Sequence, residues 1–352
     1  LRADQGFRAE RTVVQPVLSA SPATAMAGEA APDRVISTAR NTERLPGRVV
    51  RREGEGATGD QAADEAYDGF GATWRLFHDV YGRDSIDGAG LQLAGTVHYG
   101  KGYDNAFWNG ERMVFGDGDG EIFGRFTASL EVIGHELTHG VTERSAGLVY
   151  QGQPGALNEH ISDVFGVLVK QHQLGQNADQ ADWLVGADLL LPGVKGVAIR
   201  SMIAPGTAYD DPRLGKDPQP DHMDRFVVTT DDNGGVHINS GIPNRAFALA
   251  AKAVGGPAWA TVGQVWYDVL TGGELPAKAD LAAFARLTVA AASARFGGGS
   301  NVHTAVQQGW TSVGVATDAP TNATGPRGST PAVAPEAELL LRRTGGVTGA
   351  VK

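Results

Sequence analysis

Five residues, His135-Glu136-Leu137-Thr138-His139, constrain this chain more than any other stretch. They lie in a segment running from Ser129, a plausible N-cap, to about Glu143, with Gly147 beyond its end, and that pattern predicts a helix. On a helix, histidines at i and i+4 share one face, one turn apart, so both imidazoles can reach a single metal ion. Glu136 points to the adjacent edge, where a carboxylate can hold a metal-bound water. The plain alternative is a helix with two exposed histidines. The next predicted helix, over 158–174, counts against that alternative. Glu159 stands twenty residues after His139, where a third ligand would leave one position open for water. Asp163, one turn further along the same face, can accept the other N–H of a ligating imidazole. His160 sits about 100° round the helix from Glu159 and reads as structural or exposed.

Composition narrows the chemistry. None of the 352 residues is cysteine. Disulfides, thiolate zinc sites, iron–sulfur clusters and a cysteine nucleophile are excluded, and a metal must sit on His, Asp and Glu. A formal net charge of -10 offers no basic surface for nucleic acid. No stretch approaches the ~20 apolar residues of a membrane span. The sequence begins at Leu1, and no charged-then-apolar signal segment is visible, which decides little where a start can be missing.

Length alone suggests about two domains of ~150 residues. Residues 1–35 read as a flexible leader, rich in Ala, Ser and Pro. Residues 34–59 carry mixed charge and turn residues, with one short strand around Val49-Val50. Ala63, Ala66, Tyr67, Phe70, Trp74, Phe77 and Val80 recur at helical spacing. Residues 91–99 read as a strand, and 100–124 as hairpins and loops. After the helix at 129–143, helices are expected over 158–174, 239–254, 259–271, 278–296 and 301–313. The result is α+β: a β-rich N-terminal lobe over 36–145, ending in the HExxH helix, and an α-helical lobe over 146–315, with a cleft between them. Residues 316–352 read as a Pro/Thr/Ala linker and disordered tail, or the start of a further domain.

HELTH followed by GALNEHISD resembles the thermolysin family of zinc metalloendopeptidases, as do VHYGKGYDNAFWNGERMVFGDGDG, AGLVYQGQPGALNE, IRSM, DDNGGVHINSG and GPAWATVGQVWY. KDPQPDHM, HINSGIPNRAF and the early LPG resemble its protealysin-like branch most. The resemblance implies a two-lobed thermolysin-like fold and one Zn2+ held by His135, His139 and Glu159. It implies Glu136 as general base, with Asn158 and Asp163 as partners of the zinc histidines. Tyr150 and His237 would donate to the oxyanion, and Asp232 would orient His237. Asn105 and the backbone of Ala106 would hold the substrate strand, and Arg200 a substrate carbonyl. The positions matching the pocket for the residue after the scissile bond are Phe123, Phe126, Val132, Val185 and Ile199, all apolar. Cleavage before a medium-sized hydrophobic residue follows. Taken singly, each residue has a bland reading: a core phenol, a turn asparagine, a surface arginine, residues of a core floor.

The family's paired calcium site matches Glu131, Lys170, Asp182, Leu184 and Ala187 here. With two carboxylates and a lysine, that site is expected to be absent, although calcium elsewhere stays open. Asp117-Gly118-Asp119-Gly120 looks like the opening of an EF-hand loop, but the twelfth position is Ala128, so a glycine-shaped hairpin is expected. The resemblance further implies a secreted monomer acting on proteins and peptides, with its own propeptide or a small protein inhibitor as partner; a cytoplasmic origin stays open. Two other readings stand beside the protease: a zinc-binding module that does not cleave, and an enzyme kept latent by its own leader.

Overall fold

The computed structural model describes residues 30–318. The expected leader, as far as residue 29, and the expected tail from residue 319 lie outside the described residues, while the last two leader positions, Arg34 and Val35, open the first strand instead.

The N-terminal sheet starts with a strand that the sequence pattern does not announce. β1 (Arg34–Thr42) buries five successive residues, Val35 to Ala39, so it shows no alternation of apolar and polar side chains. Residues 34–59 were expected to be turns around one short strand. That strand exists as β2 (Arg48–Arg52), but it pairs antiparallel with β1. β3 (Leu93–Tyr99) runs parallel to β1, β5 (Met113–Phe115) parallel to β3, and β4 (Ala106–Trp108) closes the sheet antiparallel to β5. The order is β2-β1-β3-β5-β4, which leaves β4 at an edge.

Helix α1 (Gln61–Arg75) covers the sheet, and a π-helical turn, Leu76–Val80, extends it. Asp60 caps it by accepting the N–H groups of Ala62 and Ala63. Close packing needs a glycine at position 95 of β3, where a Cβ would lie 2.8 Å from the Phe70 ring. Tyr67 of α1 lies between the guanidiniums of Arg34 and Arg51, each 3.7 Å from its ring centre, which ties β1 and β2 to the helix.

Helix α2 (Leu130–Glu143) begins at Ser129, whose hydroxyl accepts the N–H of Val132. Helix α3 (Gly152–Leu174) starts six residues before the expected 158, and the left-handed Gly175 (φ 64°) ends it. The two helices meet backbone to backbone. A Cβ on Gly134 would lie 3.1 Å from Cα of Gly166, and one on Gly166 would lie 2.4 Å from the carbonyl oxygen of Glu131. Only glycine allows that approach, and it sets how near His135 and Glu159 can come.

Beyond α3, two short antiparallel pairs follow: β6 (Leu184–Val185) with β7 (Arg200–Ser201), and β8 (Asp210–Asp211) with β9 (Gly215–Lys216). Five helices complete the lobe: α4 (Asp232–Asn239), α5 (Gly241–Val254), α6 (Val262–Thr271), α7 (Leu281–Phe296) and α8 (Asn301–Ser312). The helix expected at 239–254 is α5, and the unexpected α4 before it opens with four left-handed residues, Asp232 to Gly235. The Asp-Asn-Gly-Gly sequence tolerates that conformation where β-branched residues would not. One continuous apolar core runs from Ile36 and Phe70 of the sheet lobe through α2 and α3 to Trp266 and Trp310. Residues 117–120 follow the β4–β5 hairpin as a loop, where Asp119 accepts the N–H groups of Glu121, Ile122 and Phe123. This differs from the expected hairpin because one carboxylate gathers three successive amides and leaves no strand pairing.

Candidate metal centre and active site

His135 and His139 stand one turn apart on the buried α2, and Glu159 comes to them from α3. Nε2 of His139 lies 3.2 Å from Nε2 of His135. Glu159 Oε2 lies 3.3 Å from His135 Nε2, and Oε1 lies 3.4 Å from His139 Nε2. Four ligands at ~2.0–2.1 Å in a tetrahedron stand about 3.3 Å from one another. These three donors therefore have the mutual spacing of ligands to one small tetrahedral cation. The donor atoms of His135, Glu136 and His139 also lie within 4.8 Å of one another. Within that group Glu136 is turned elsewhere, since its Oε2 accepts the backbone N–H of Trp108 at 3.2 Å.

The far sides of both imidazoles are occupied. His135 Nδ1 lies 2.8 Å from Asp163 Oδ1. His139 Nδ1 lies 2.8 Å from Asn158 Oδ1 and 3.1 Å from Ser162 Oγ. Each ring is thereby oriented with Nε2 toward Glu159. Burial would lower the pKa of His135, but Asp163 and Glu159 outweigh it and push it up to about 9 without a metal. A metal cation would displace that proton, since both use the same lone pair. Burial would likewise raise Glu159, yet the imidazoles of His237, His139 and His135 hold it well below the usual carboxylate range.

Asp163 is fully buried and accepts four hydrogen bonds. Oδ1 takes His135 Nδ1 and Arg200 Nη2 (2.6 Å), and Oδ2 takes Arg200 Nε (2.8 Å) and Asn244 Nδ2 (2.9 Å). Burial opposes its charge, but Arg200 and then His135 hold its pKa far below the ordinary value.

Tyr150 and His237 meet on the other side of Glu159. The Tyr150 hydroxyl donates to Glu159 Oε1 and lies 3.3 Å from His237 Nε2. The left-handed turn folds Asp232 back over His237. Its two oxygens take the His237 backbone N–H at 2.8 Å and Nδ1 at 2.6 Å. Gln219 donates to the His237 carbonyl at 2.7 Å.

The apolar residues singled out in sequence all belong to the continuous apolar core or pack against it. Phe123 and Phe126 pack at 5.8 Å between ring centres, Ile199 N–H donates to the Val185 carbonyl, and Val132 lies on α2. Asn105 is half-buried and precedes the edge strand that Ala106 begins. Sequence reading missed Ser162, Gln219 and Asn244. Only Ser162 had a signal, its i+4 spacing from Asn158.

The chain matches two family models in order: the thermolysin metallopeptidase catalytic domain over residues 31–143, and the thermolysin metallopeptidase alpha-helical domain over residues 146–315. The chain belongs to the thermolysin family of metallopeptidases. A thermolysin-like fold with a sheet-rich first part and a helical second part comes with that membership, as does the activity of a zinc-dependent neutral endopeptidase. An extracellular metalloprotease of Pectobacterium carotovorum subsp. carotovorum is 57% identical over 289 residues, 82% of each chain. Protease PrtS of Photorhabdus sp. (strain Az29) is 51% identical over 284 residues, 80% of this chain and 76% of its own length. The thermolysin of Alicyclobacillus acidocaldarius subsp. acidocaldarius is 40% identical over 286 residues, 78% of this chain and 50% of its own length. A solved structure of a precursor of protealysin, a metalloproteinase from Serratia proteamaculans, matches with a TM-score of 0.80 at 57% identity, covering 82% of this chain and 89% of that one. These relatives support the protealysin-like branch of the thermolysin family. No helix among the described residues is long and apolar enough to cross a membrane.

Proposed function

We propose that this thermolysin-family enzyme cuts peptide bonds on the amino side of hydrophobic residues, with zinc held by His135, His139 and Glu159. The observation that carries the reading is the 3.2–3.4 Å triangle of Nε2, Nε2 and carboxylate oxygens, with Glu136 beside it but held by Trp108. Zinc bound there supplies Lewis acidity, which acidifies water and polarises a carbonyl. Glu136 takes the proton of the attacking water and passes it to the leaving amine. Tyr150 and His237 donate to the carbonyl oxygen as it gains charge. Asp232 at Nδ1 holds the His237 ring with Nε2 turned toward the reacting carbonyl.

The edge position of β4 leaves one side of Ala106 for an extended substrate, and Asn105 adds a side-chain amide. Arg200 is held by Asp163 and can present its remaining N–H groups to a substrate carbonyl. Phe123, Phe126, Val132, Val185 and Ile199 make the floor for the residue after the scissile bond. The working unit is two lobes, the first running from β1 to residue 145 and so beginning ahead of the expected 36, the second 146–315. The paired calcium site is replaced, because Lys170 Nζ lies among its would-be carboxylates. The residues that precede β1 belong to a propeptide, and the enzyme acts outside the cell as a monomer, in keeping with a relative named extracellular.

Cleavage-site mapping on a mixed peptide library, with and without a zinc chelator, tests this reading. Cuts before Leu and similar residues, lost on chelation and restored by zinc, are expected. A protein that binds zinc and cuts nothing in the library would be a binding module instead.

A further inference from the structure

Asn244 Nδ2 donates to Asp163 from α5, but an amide can turn either end toward a carboxylate, and only one end is a donor. Ionised Asp163 calls for the donor end, and a second set of contacts, further into the helical lobe, imposes the same orientation. Asn244 Oδ1 faces His160 Nδ1 at 2.8 Å, and His160 Nε2 faces Trp266 Nε1 at 2.7 Å. An indole N–H donates and cannot accept. His160 Nε2 must therefore be the acceptor, and the ring is neutral with its proton on Nδ1. That proton requires an acceptor on Asn244, so Oδ1 faces His160 and Nδ2 faces Asp163. Every polarity along the line is fixed from both ends, by an indole that only donates and an ionised carboxylate that only accepts. All four side chains are fully or almost fully buried, so water does not compete with the line. Trp266 itself is held by a stack on Trp310 at 5.9 Å and by Phe247 and Phe284 edges.

We propose that Trp266, His160 and Asn244 are positioning residues that fix the donor offered to Asp163 and, through Asp163, the imidazole of His135 and the guanidinium of Arg200. The line crosses α6, α3 and α5 before reaching α2, so it also couples the aromatic core of the helical lobe to the metal centre. Without the indole N–H, only Asp163 still orders the line, and either tautomer of His160 can face Asn244. In the Nε2–H tautomer, Nδ1 of His160 competes with Asp163 for the Asn244 amide protons, which weakens one of the carboxylate's four donors. The inference rests on the reading of Asp163 as the group that orients a zinc-ligating His135.

The test is a double-mutant cycle of Trp266→Phe, which keeps an aromatic ring, and Asn244→Leu, with zinc affinity and kcat/KM as readouts. Trp266→Phe is expected to lower zinc affinity about tenfold, the lower end for groups that orient a metal ligand. In the Asn244→Leu background the same change is expected to do less than a further twofold, because the line is already cut. Equal effects of Trp266→Phe in both backgrounds would reduce its role to packing and overturn the proposal. Should Asn244→Leu fail to fold, 15N–1H correlation spectra of the 15N-histidine-labelled zinc enzyme decide the matter: a proton on Nδ1 of His160 is expected, and one on Nε2 overturns it. Asp163→Asn separates the two readings. If it leaves zinc affinity unchanged, the role of Asp163 fails; if it impairs affinity while Trp266→Phe does not, only the wiring fails.

Discussion

The ammonium of Lys170 lies 3.3 Å from Oε1 of Glu131, a carboxylate with no exposed surface. A second carboxylate, Asp182, lies 3.0 Å from the same ammonium. Burial pushes the Glu131 carboxyl up, and Lys170 is the cation that opposes it. A side chain thus supplies from within the charge that a bound cation would supply from outside. Lys170→Met is expected to cost about 2–4 kcal/mol, less than a fully stranded buried charge because Glu131 can take up a proton. Urea unfolding of the zinc-loaded protein measures it, and a loss under 0.5 kcal/mol, on the order of an exposed pair, would contradict it.

His98 gives stability a pH dependence far from the metal. Asp117 lies 2.9 Å from its Nδ1 and Asp60 3.0 Å from its Nε2. The Asp117 hydrogen bond, with Asp60 adding to it against partial burial, pushes the imidazole up to about 9. A raised pKa favours the protonated ring in the folded state. The stabilisation is therefore full below about pH 6.5, shrinks as pH rises toward 9 and is gone above it. At this partly exposed site it amounts to about 1–2 kcal/mol. Unfolding of wild type and His98→Gln between pH 6 and 10 should converge as pH rises. A constant gap would sink the account.

In the proposed mechanism Tyr150 and His237 act on charge that develops only as water adds to the carbonyl. Tyr150→Phe and His237→Ala should each lower kcat by about 10²- to 10³-fold with little change in KM. Steady-state kinetics with metal content measured in parallel separates this from zinc loss. A rise in KM at unchanged kcat would make them substrate-binding groups only.

Phe126 packs on Phe123 at the apolar floor and fills space there. Phe126→Ala should raise kcat/KM for peptides with Phe after the scissile bond relative to Leu, by about tenfold for the volume released. An unchanged Leu-to-Phe ratio would remove this position from the pocket.

Legibility in the sequence follows contact range. His135, His139, Glu159 and Asp163 are separated by helical steps or sit on adjacent helices, so spacing alone groups them. Asn158 and Ser162 share a face for the same reason. β1 escapes because its five buried residues in a row carry no period, and its charged end, Arg34, is paired with Glu53 and stacked on Tyr67. The Asn244–His160–Trp266 line escapes because each of its links spans 84 or more residues and no local pattern marks them. Nothing in the sequence links Asp60, which caps α1, to Asp117, in a loop; that both face His98 is a fact of the folded chain.

The central claim is that Glu136 moves the proton while His135, His139 and Glu159 hold the metal. Glu136→Gln keeps the shape and an acceptor for the Trp108 N–H but cannot take a proton. Zinc content by elemental analysis and casein cleavage, measured on the same sample, test it most directly. The account predicts one zinc per chain with cleavage reduced about 10²- to 10⁴-fold. A zinc-loaded Glu136→Gln protein that cleaves casein at the wild-type rate would contradict it.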